Sequence, residues 1–374
     1  MPFDIPFIKP VFPNSALVGH DFDDIVESNW YTNFGPRERK FAEAIAGYVG
    51  EGREAVTFAN ATIGLIAVLQ AVLGRGDNTR FVLIPSFTFA AGAEAIEWAG
   101  YRPLFVDIHP ESLQPSLAEA RAALGAGRDV AGILLCNTFG IGNALVGEWE
   151  GFAEEVALPL VIDSAAGFGS RYPDGKRVGS AAVAEVFSFH ATKPFAIGEG
   201  GAVLTRDSAL AEELRSFQNF GFRDGKGAVS RGLNGKLQEI NAAIGLRQLD
   251  TFDEAIDSRQ AVLAAYRSGL AHSGIRFPEQ IDISSVCFAS MLFDTQEWRD
   301  RAQAQLLGAG VEVRTYYSPS VHKQPHFMDA VRASALTETE GVVDTILSVP
   351  VHQGMPQSSV DMVVNILESS RPAS

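Results

Sequence analysis

Short apolar runs alternate with helix-like segments through the first part of the chain, and this alternation restricts the fold more than any other feature. The runs are AVTFA, FVLIPS, RPLFVDI, VAGILLC and LPLVIDS, and a helical pattern follows each of them. Apolar runs of this length between helices are typical of a mainly parallel sheet wrapped by helices. The sequence therefore predicts an α/β fold.

A different pattern begins near Lys236. Residues 237–274 keep apolar side chains at intervals of three and four positions, which is the periodicity of an amphipathic helix. The stretch is long for one helix in a globular protein. We therefore expect a long, bent helix that links two domains.

The remaining C-terminal segments are shorter and mixed. The run VCFASMLF, a helical pattern around Trp298 to Leu307, the run VEVRTYY and a closing helix near Val360 to Leu367 predict a smaller α+β unit. We divide the chain into a large domain, residues 1–250 with the N-terminal segment included, and a small C-terminal domain, residues 251–374.

Composition excludes several classes of protein. The 374 residues are 46% hydrophobic and 20% charged, as in soluble globular proteins, and the formal net charge of −15 disfavours partners such as DNA or an anionic membrane. The two cysteines, Cys136 and Cys287, provide no disulfide framework or cysteine-based metal site. Without a signal-peptide pattern or an apolar run of membrane-spanning length, the expected location is the cytoplasm.

One lysine lies in an unusual crossing between two strand-like runs, in EVFSFHATKPFAIGEGGAVLTRD. Pro194 disfavours helical geometry at the preceding residue, so Lys193 is expected in an extended turn that presents its amine. An amine held there could form a Schiff base. An isolated loop lysine is more often a solvated surface residue, so the assignment depends on its neighbours.

An acid and an aromatic residue follow two of the other strands. Asp163 ends the run LPLVID, so its carboxylate is expected at the edge of the sheet where open α/β folds bind ligands. Its alternative role is to cap the next helix. Phe89 follows the run FVLIPS and could stack on a flat ligand, although a single phenylalanine is more often part of the core.

A strand-to-helix junction offers an anion site. Asn60, Ala61 and Thr62 follow AVTFA and open a helix. The free N–H groups and the dipole of a helix start suit a phosphate. The alternative is that these residues only cap the helix. Ser188 could add a hydroxyl donor to the same phosphate. An amine, an acid, a flat contact and a phosphate cup are what pyridoxal 5'-phosphate (PLP) requires.

These residues lie in segments that resemble the DegT/DnrJ/EryC1/StrS family of PLP-dependent sugar aminotransferases nearly from end to end. The similar segments include NWYTNFGPRERKFAEAIAGYVG, NATIGL, IPSFTFAAGAEAI, LFVDIHPES, VIDSAAGFGS, RGLNGKLQEINAAIGLRQL, TYYSPSVHKQPHF and SVPVHQGM. At the centre is a Ser-x-His-x-x-Lys pattern made by Ser188, His190 and Lys193. Several such segments in the family's order are a specific signal.

The resemblance implies an aspartate-aminotransferase-like fold of type I and a homodimer with shared active sites. It also implies a role for each matching residue. Lys193 is implied to be the Schiff-base lysine and Asp163 the partner of the pyridine nitrogen, with Phe89 and Ala165 on the two ring faces. The residues implied at the phosphate are Asn60, Ala61, Thr62 and Ser188, and Asn234 is implied to reach the phosphate of the other subunit. The residues implied near the substrate are His190, Tyr317 and His322.

The implied reaction moves an amino group from an amino acid, by resemblance L-glutamate, through pyridoxamine phosphate to a keto-sugar. The implied sugar is a nucleotide-linked 4-keto-6-deoxyhexose, because HATK is similar to relatives that aminate C-4. Two alternatives keep the fold: a sugar 3-dehydratase, in which histidine replaces the lysine, and a non-enzymatic regulator. Lys193 disfavours the dehydratase, and the presence of Lys193, Asp163 and Ser188 together disfavours the regulator. A nucleotide-cofactor oxidoreductase lacks its G-x-G-x-x-G after the first strand.

Two details depart from simple expectations. Relatives usually have Gln or His three residues after the aspartate, near the ring's phenolic oxygen, whereas this chain has Ala166, which cannot donate a hydrogen bond. His322 and His326 are spaced like metal ligands on a helix, but Pro325 breaks that geometry, so no metal site is expected.

Overall fold

The computed structural model describes residues 3–372, and its centre is a sheet of eight strands in the order β1-β7-β6-β5-β4-β2-β3-β9. The predicted mainly parallel sheet is confirmed, because every neighbouring pair is parallel except those that involve β7. Its strands are β1 Glu54–Phe58, β2 Phe81–Pro85, β3 Arg102–Val106, β4 Val130–Cys136, β5 Leu160–Asp163, β6 Ala184–Ser188, β7 Gly201–Thr205 and β9 Val331–Arg332.

The central strands are apolar throughout because helices cover both faces of the sheet. In β4, Ile133 and Leu135 pack into a core on one face, which also holds Phe41 and Phe168. Leu134, between them, packs into a second core on the opposite face. A side-chain repeat of two residues therefore explains why the run VAGILLC has no polar positions.

Twelve α-helices are found among the described residues. They are α1 Ser15–Ser28, α2 Pro36–Val49, α3 Ala61–Leu73, α4 Ala90–Trp98, α5 Leu117–Gly125, α6 Val146–Glu155, α7 Ser208–Phe217, α8 Glu239–Leu249, α9 Phe252–Gly269, α10 Gln296–Gly308, α11 Thr337–Thr345 and α12 Gln357–Ser369. Between positions 3 and 372 no helix is both long enough and apolar enough to cross a membrane.

The expected long helix is two helices. The chain leaves helical geometry at Thr251, with φ −125° and ψ 13°, and α9 begins at the next residue. The first turn of α9 contains two acidic residues, Asp253 and Glu254, whose negative charges suit the positive end of a helix. The periodicity of residues 237–274 thus marked two successive amphipathic helices and not one bent helix.

The C-terminal part has a small sheet of its own. Its strands β8, Ala289–Leu292, and β10, Ile346–Val349, pair antiparallel and pack with α9, α10 and α12 around a third core. Ile5 and Phe7 from the N-terminal segment are buried in this core as well, and Ile5 bridges Val311. The N-terminal segment therefore contacts the C-terminal part, and the proposed boundary at residue 250 lies between α8 and α9.

One buried acid organises the chain around the end of β5. Glu185 on β6 is fully buried and accepts four hydrogen bonds. The hydroxyls of Ser164 and Tyr172 donate to Oε2 at 2.6 and 3.0 Å, and the N–H groups of Gly179 and Ala181 donate to Oε1 at 2.8 Å each. Glu185 thereby fixes the residue that follows Asp163.

We predict that Glu185→Ala lowers the free energy of unfolding by about 3 kcal/mol or more, since it leaves buried donors without an acceptor. Glu154→Ala, on the exposed face of α6, is the matched control and is expected to change it little. Urea denaturation of both variants measures the difference. Equal midpoints for the two variants would contradict the organising role of Glu185.

Candidate active site

The end of β5 presents a buried carboxylate. Asp163 is the last residue of that strand, pairs with Cys136 on β4 and Val186 on β6, and is 6% exposed. The Ala165 N–H donates to its Oδ1 at 3.0 Å. Burial raises the pKa of the Asp163 carboxyl, while this hydrogen bond and the positive charge of Lys193 oppose the rise. Lys193 is therefore near enough to Asp163, at the carboxyl edge of the sheet, for their charges to interact.

Lys193 lies in the turn between β6 and β7, as predicted. Its N–H donates to the His190 carbonyl at 2.9 Å, and the side-chain amide of Asn241 donates to the carbonyls of Ile197 and Glu199 at 3.0 and 3.2 Å. These bonds hold the turn against α8. The Lys193 side chain is half-buried, so its amine faces a site that is only partly open to solvent.

The predicted phosphate residues are brought together by strand register. Gly201, the first residue of β7, pairs with Phe58 on one side and Ser188 on the other. A Cβ at Gly201 would lie 2.7 Å from the Ala61 nitrogen, so the lack of a side chain lets the start of α3 approach the sheet. Ser188 and the first turn of α3 therefore share one edge of the sheet, and together they would make a cradle for a phosphate.

Asn60 has the simpler of its two predicted roles as well. It is the N-cap of α3, and its Oδ1 accepts a hydrogen bond from the Ile63 N–H at 3.0 Å. Ala61 and Thr62 follow as the first residues of the helix. Because the cap uses the Asn60 side chain, its contribution to an anion site comes from the helix start that it fixes.

Phe89 and Ala165, the two residues predicted to cover the faces of the cofactor ring, lie on different elements. Phe89 is the N-cap of α4 and is 63% exposed, which is unusual for a phenylalanine. A Cβ at Gly92, in the first turn of α4, would lie 3.9 Å from Asp163 Oδ2, so this turn lies beside the acid. Ala165 follows β5 and is half-buried. An exposed aromatic ring near a buried acid suits a flat ligand between them.

The three predicted substrate residues are not equivalent. His190 is half-buried in the lysine turn, with Nδ1 2.9 Å from Thr192 Oγ1 and Nε2 3.6 Å from Glu199. Tyr317 stacks on Phe139, which follows β4, with ring centroids 5.3 Å apart. Both residues are thus close to the carboxyl edge of the sheet.

His322 is placed differently. It is 1% exposed, with Nδ1 2.7 Å from Ser86 Oγ and Nε2 3.3 Å from Glu340. Burial, together with the positive charges of Arg332 and Lys323, lowers the pKa of His322 to about 4. Burial therefore favours the neutral form of His322, and its ring contacts Ser86 and Glu340 with almost no surface open to a ligand.

His326 does not share the surroundings of His322. The two residues lie in separate 3-10 turns, Val321–Lys323 and Pro325–Phe327, as Pro325 implied. His326 is exposed, and its Nε2 lies 2.6 Å from Glu97. His326 and Glu97 therefore have the geometry of a surface ion pair.

Asn234 is exposed and lies next to Gly235, whose carbonyl accepts a hydrogen bond from the Ala59 N–H at 2.7 Å. The backbone of Asn234 also bridges Asn219. The segment is thus anchored near the start of α3. Its side chain is free to face a second subunit, and that role remains a proposal.

Two buried free cysteines border the site, and sequence reasoning did not assign them to it. Cys136 accepts a hydrogen bond from Thr88 at 3.2 Å, and burial raises its pKa to about 12. The Cys287 thiol lies 3.6 Å from the Thr192 carbonyl, and the charge of Lys193 influences both thiols. The position of Cys136 beside Asp163 could have been predicted, because both residues end strands of the sheet. The sequence has no comparable signal for Cys287.

These groups fit PLP. Asp163 would hold the ring nitrogen, Lys193 the aldehyde carbon, and the cradle at Gly201 the phosphate, while Phe89 and Ala165 would cover the ring faces. The fit rests on the close approach of α3 at Gly201 and on the exposed Phe89 at the start of α4, whose first turn lies beside the buried acid.

Residues 18–368 match the profile of the DegT/DnrJ/EryC1/StrS aminotransferase family. The chain belongs to this family. It is an aminotransferase with the fold of the PLP-dependent aminotransferases, and PLP is its cofactor. The sequence-based predictions of family, fold and cofactor are therefore confirmed.

Named relatives cover most of the chain. Protein Rv3402c of Mycobacterium tuberculosis is 45% identical over 98% of this chain and 90% of its own length. UDP-2-acetamido-2-deoxy-3-oxo-D-glucuronate aminotransferase of Pseudomonas aeruginosa is 30% identical over 88% of this chain and 89% of its own. The crystal structure of DesI with its TDP-sugar product is 32% identical, covers 98% of this chain and 92% of its own, and superposes with a TM-score of 0.89.

We predict that Gly201→Ala weakens PLP binding about ten- to a hundredfold, because the new Cβ displaces the N–H groups that open α3. Titration of the apoenzyme with PLP, followed by absorbance, measures the change. Gly47→Ala, where a Cβ meets nothing within 4 Å, is the control. Unchanged affinity in Gly201→Ala would remove the cradle assignment.

Proposed function

We propose that this aminotransferase moves an amino group from an amino acid, L-glutamate, to a nucleotide-linked keto-sugar, a 4-keto-6-deoxyhexose. The observation that carries the proposal is the neighbouring pair of Lys193 and Asp163 at the edge of the sheet. The relatives support the sugar class, because several are named for nucleotide-linked sugars, with UDP, TDP or GDP as the nucleotide. A dTDP-4-amino-4,6-dideoxy-D-glucose transaminase of Escherichia coli, 28% identical, supports the position of the amino group.

Lys193 acts in two ways in this proposal. When bound, the cofactor supplies an aldehyde that links to amines and a ring that stabilises negative charge on the adjacent carbon. Lys193 Nζ would hold the cofactor. Once free, the same amine would take up and return a proton, as a general base and then a general acid.

Asp163 keeps the ring nitrogen protonated. A buried carboxylate is costly unless a cation or several donors satisfy it, and Ala165 supplies one backbone donor. A protonated ring nitrogen would supply the matching charge at the other oxygen. Because burial raises the pKa of this carboxyl, the ionised acid gains most from a cationic partner at that position.

The substrate side is assembled from this chain and a second copy. His190 lies one turn from Lys193 and is the residue that we assign to the sugar. Four exposed apolar side chains on the segment that leads to Asn234 support a homodimer with shared sites, since isolated surfaces seldom expose so many. They are Phe220, Phe222, Val229 and Leu233.

We predict that Lys193→Ala abolishes transamination but leaves the fold intact, because Nζ is needed for both proton transfers and the residue is only half-buried. Borohydride reduction after loading with PLP is expected to add the cofactor's mass to the wild type and to Lys176→Ala, whose lysine lies in an exposed turn. The Lys193→Ala variant should gain none. Near-native turnover in that variant would refute the central assignment.

The substrate class is tested by single turnover. Enzyme loaded with pyridoxamine phosphate is mixed with keto-sugar nucleotides, and return of the aldehyde form is followed by absorbance. We expect the response with nucleotide-linked 4-keto-6-deoxyhexoses and not with the free sugars. In the other half-reaction, in which the amino acid donates its amino group, L-glutamate should bleach the aldehyde band. A response to simple keto acids alone would contradict the sugar assignment.

A further inference from the structure

Tyr317 lies over the ends of two strands on one side of Asp163. Its ring stacks on Phe139, directly after β4, at 5.3 Å and 25°, and meets the edge of Phe87, directly after β2, at 5.3 Å and 74°. The ionisable groups near enough to influence its hydroxyl electrostatically are Cys136, Asp163, Cys287 and Tyr316. Two aromatic contacts therefore hold the ring, and its hydroxyl lies within electrostatic range of the acid.

The order of the strands places Tyr317 relative to the cofactor. The phosphate cradle lies at the ends of β1 and β6, Asp163 ends β5, and β4 follows on the far side. In PLP the phosphate arm and the phenolic oxygen flank the carbon that joins Lys193, and the nitrogen lies opposite. With the phosphate toward β6 and the nitrogen on Asp163, the phenolic oxygen faces the end of β4.

Few strong donors are available at that end. Ala166, after β5, has none. The Asn137 amide already donates to two side chains, at 2.9 and 3.1 Å, and the Thr88 hydroxyl donates to a thiol. The Thr138 hydroxyl has no hydrogen-bond partner among the described residues, but it is enclosed by protein and has almost no surface open to the site. The neighbouring thiols are weak donors.

We propose that the Tyr317 hydroxyl donates a hydrogen bond to the phenolic oxygen of the bound cofactor and so replaces the donor that Ala166 cannot provide. Tyr317, expected near the substrate, is thus a cofactor contact that tunes the ring. Burial raises the pKa of the Tyr317 phenol well above its usual value, so its proton is retained near neutral pH. The inference rests on the proposed function only in requiring that PLP bind at Lys193 and Asp163.

The test is a pH titration of the visible absorption band of PLP-loaded enzyme, without substrate. A donor to the phenolic oxygen stabilises its negative charge, which favours the deprotonated form of the link to Lys193. Tyr317→Phe is therefore expected to raise the titration midpoint by about one to two pH units, the size expected for a hydrogen bond to a charged group.

Tyr316→Phe is the matched control. The Tyr316 hydroxyl accepts a hydrogen bond from Arg314 at 3.3 Å, so its loss should leave the midpoint within about 0.3 unit of the wild type. In Tyr317→Phe/Ala166→Gln, the new amide should reverse at least half of the shift. A Tyr317→Phe midpoint equal to the wild type, an equal shift in Tyr316→Phe, or no reversal in the double variant would overturn the inference.

The titration separates this inference from the proposed function. A wild type that binds PLP and titrates, beside a Tyr317→Phe variant with no shift, refutes the hydroxyl's role and leaves the aminotransferase proposal standing. A wild type that shows no visible band with PLP refutes the cofactor site, and the inference with it.

Discussion

The insertion of β7 between β1 and β6 is the constraint on which the site depends. This strand runs against its two neighbours, and its first residue, Gly201, joins the end of β1 to the end of β6. A side chain there would meet the start of α3 at 2.7 Å. One residue without a Cβ therefore sets the distance between an anion-binding helix start and Ser188. The chain that enters β7 must also cross the sheet edge, and this crossing carries Lys193.

Much of this could be predicted from the sequence because strand ends are visible in it. The carboxyl ends of parallel strands meet at one edge, so Asp163, at the end of one apolar run, and Lys193, between two others, were expected to be neighbours. Phe89 and residues 60–62 follow strands in the same way. In each case a local sequence pattern predicted the strand, and the geometry of parallel sheets predicted the edge at which the next residues lie.

The contributions of distant segments could not be predicted in this way. Cys287 and Tyr317 come from the C-terminal part, and no local pattern indicates that they reach the ends of β4 and the lysine turn. His322, predicted to lie near the substrate, is enclosed by Ser86 and Glu340, and no local pattern indicated these contacts. The break at Thr251 was also hidden, since both helices continue the same apolar period. Each of these features depends on packing between segments that are distant in the sequence, which a local pattern does not show.

The charge distribution of the site argues that cofactor binding also stabilises the fold. Asp163 is buried beside apolar strand ends and thiols that stay protonated, so its negative charge is only partly offset by a backbone N–H and Lys193. A cationic ring nitrogen would remove this cost in the folded state alone, because the unfolded chain hydrates the acid fully. Ligands that bind only the folded state stabilise it in proportion to their affinity. The acid that prepares the ring for catalysis thus couples cofactor binding to the stability of the central sheet.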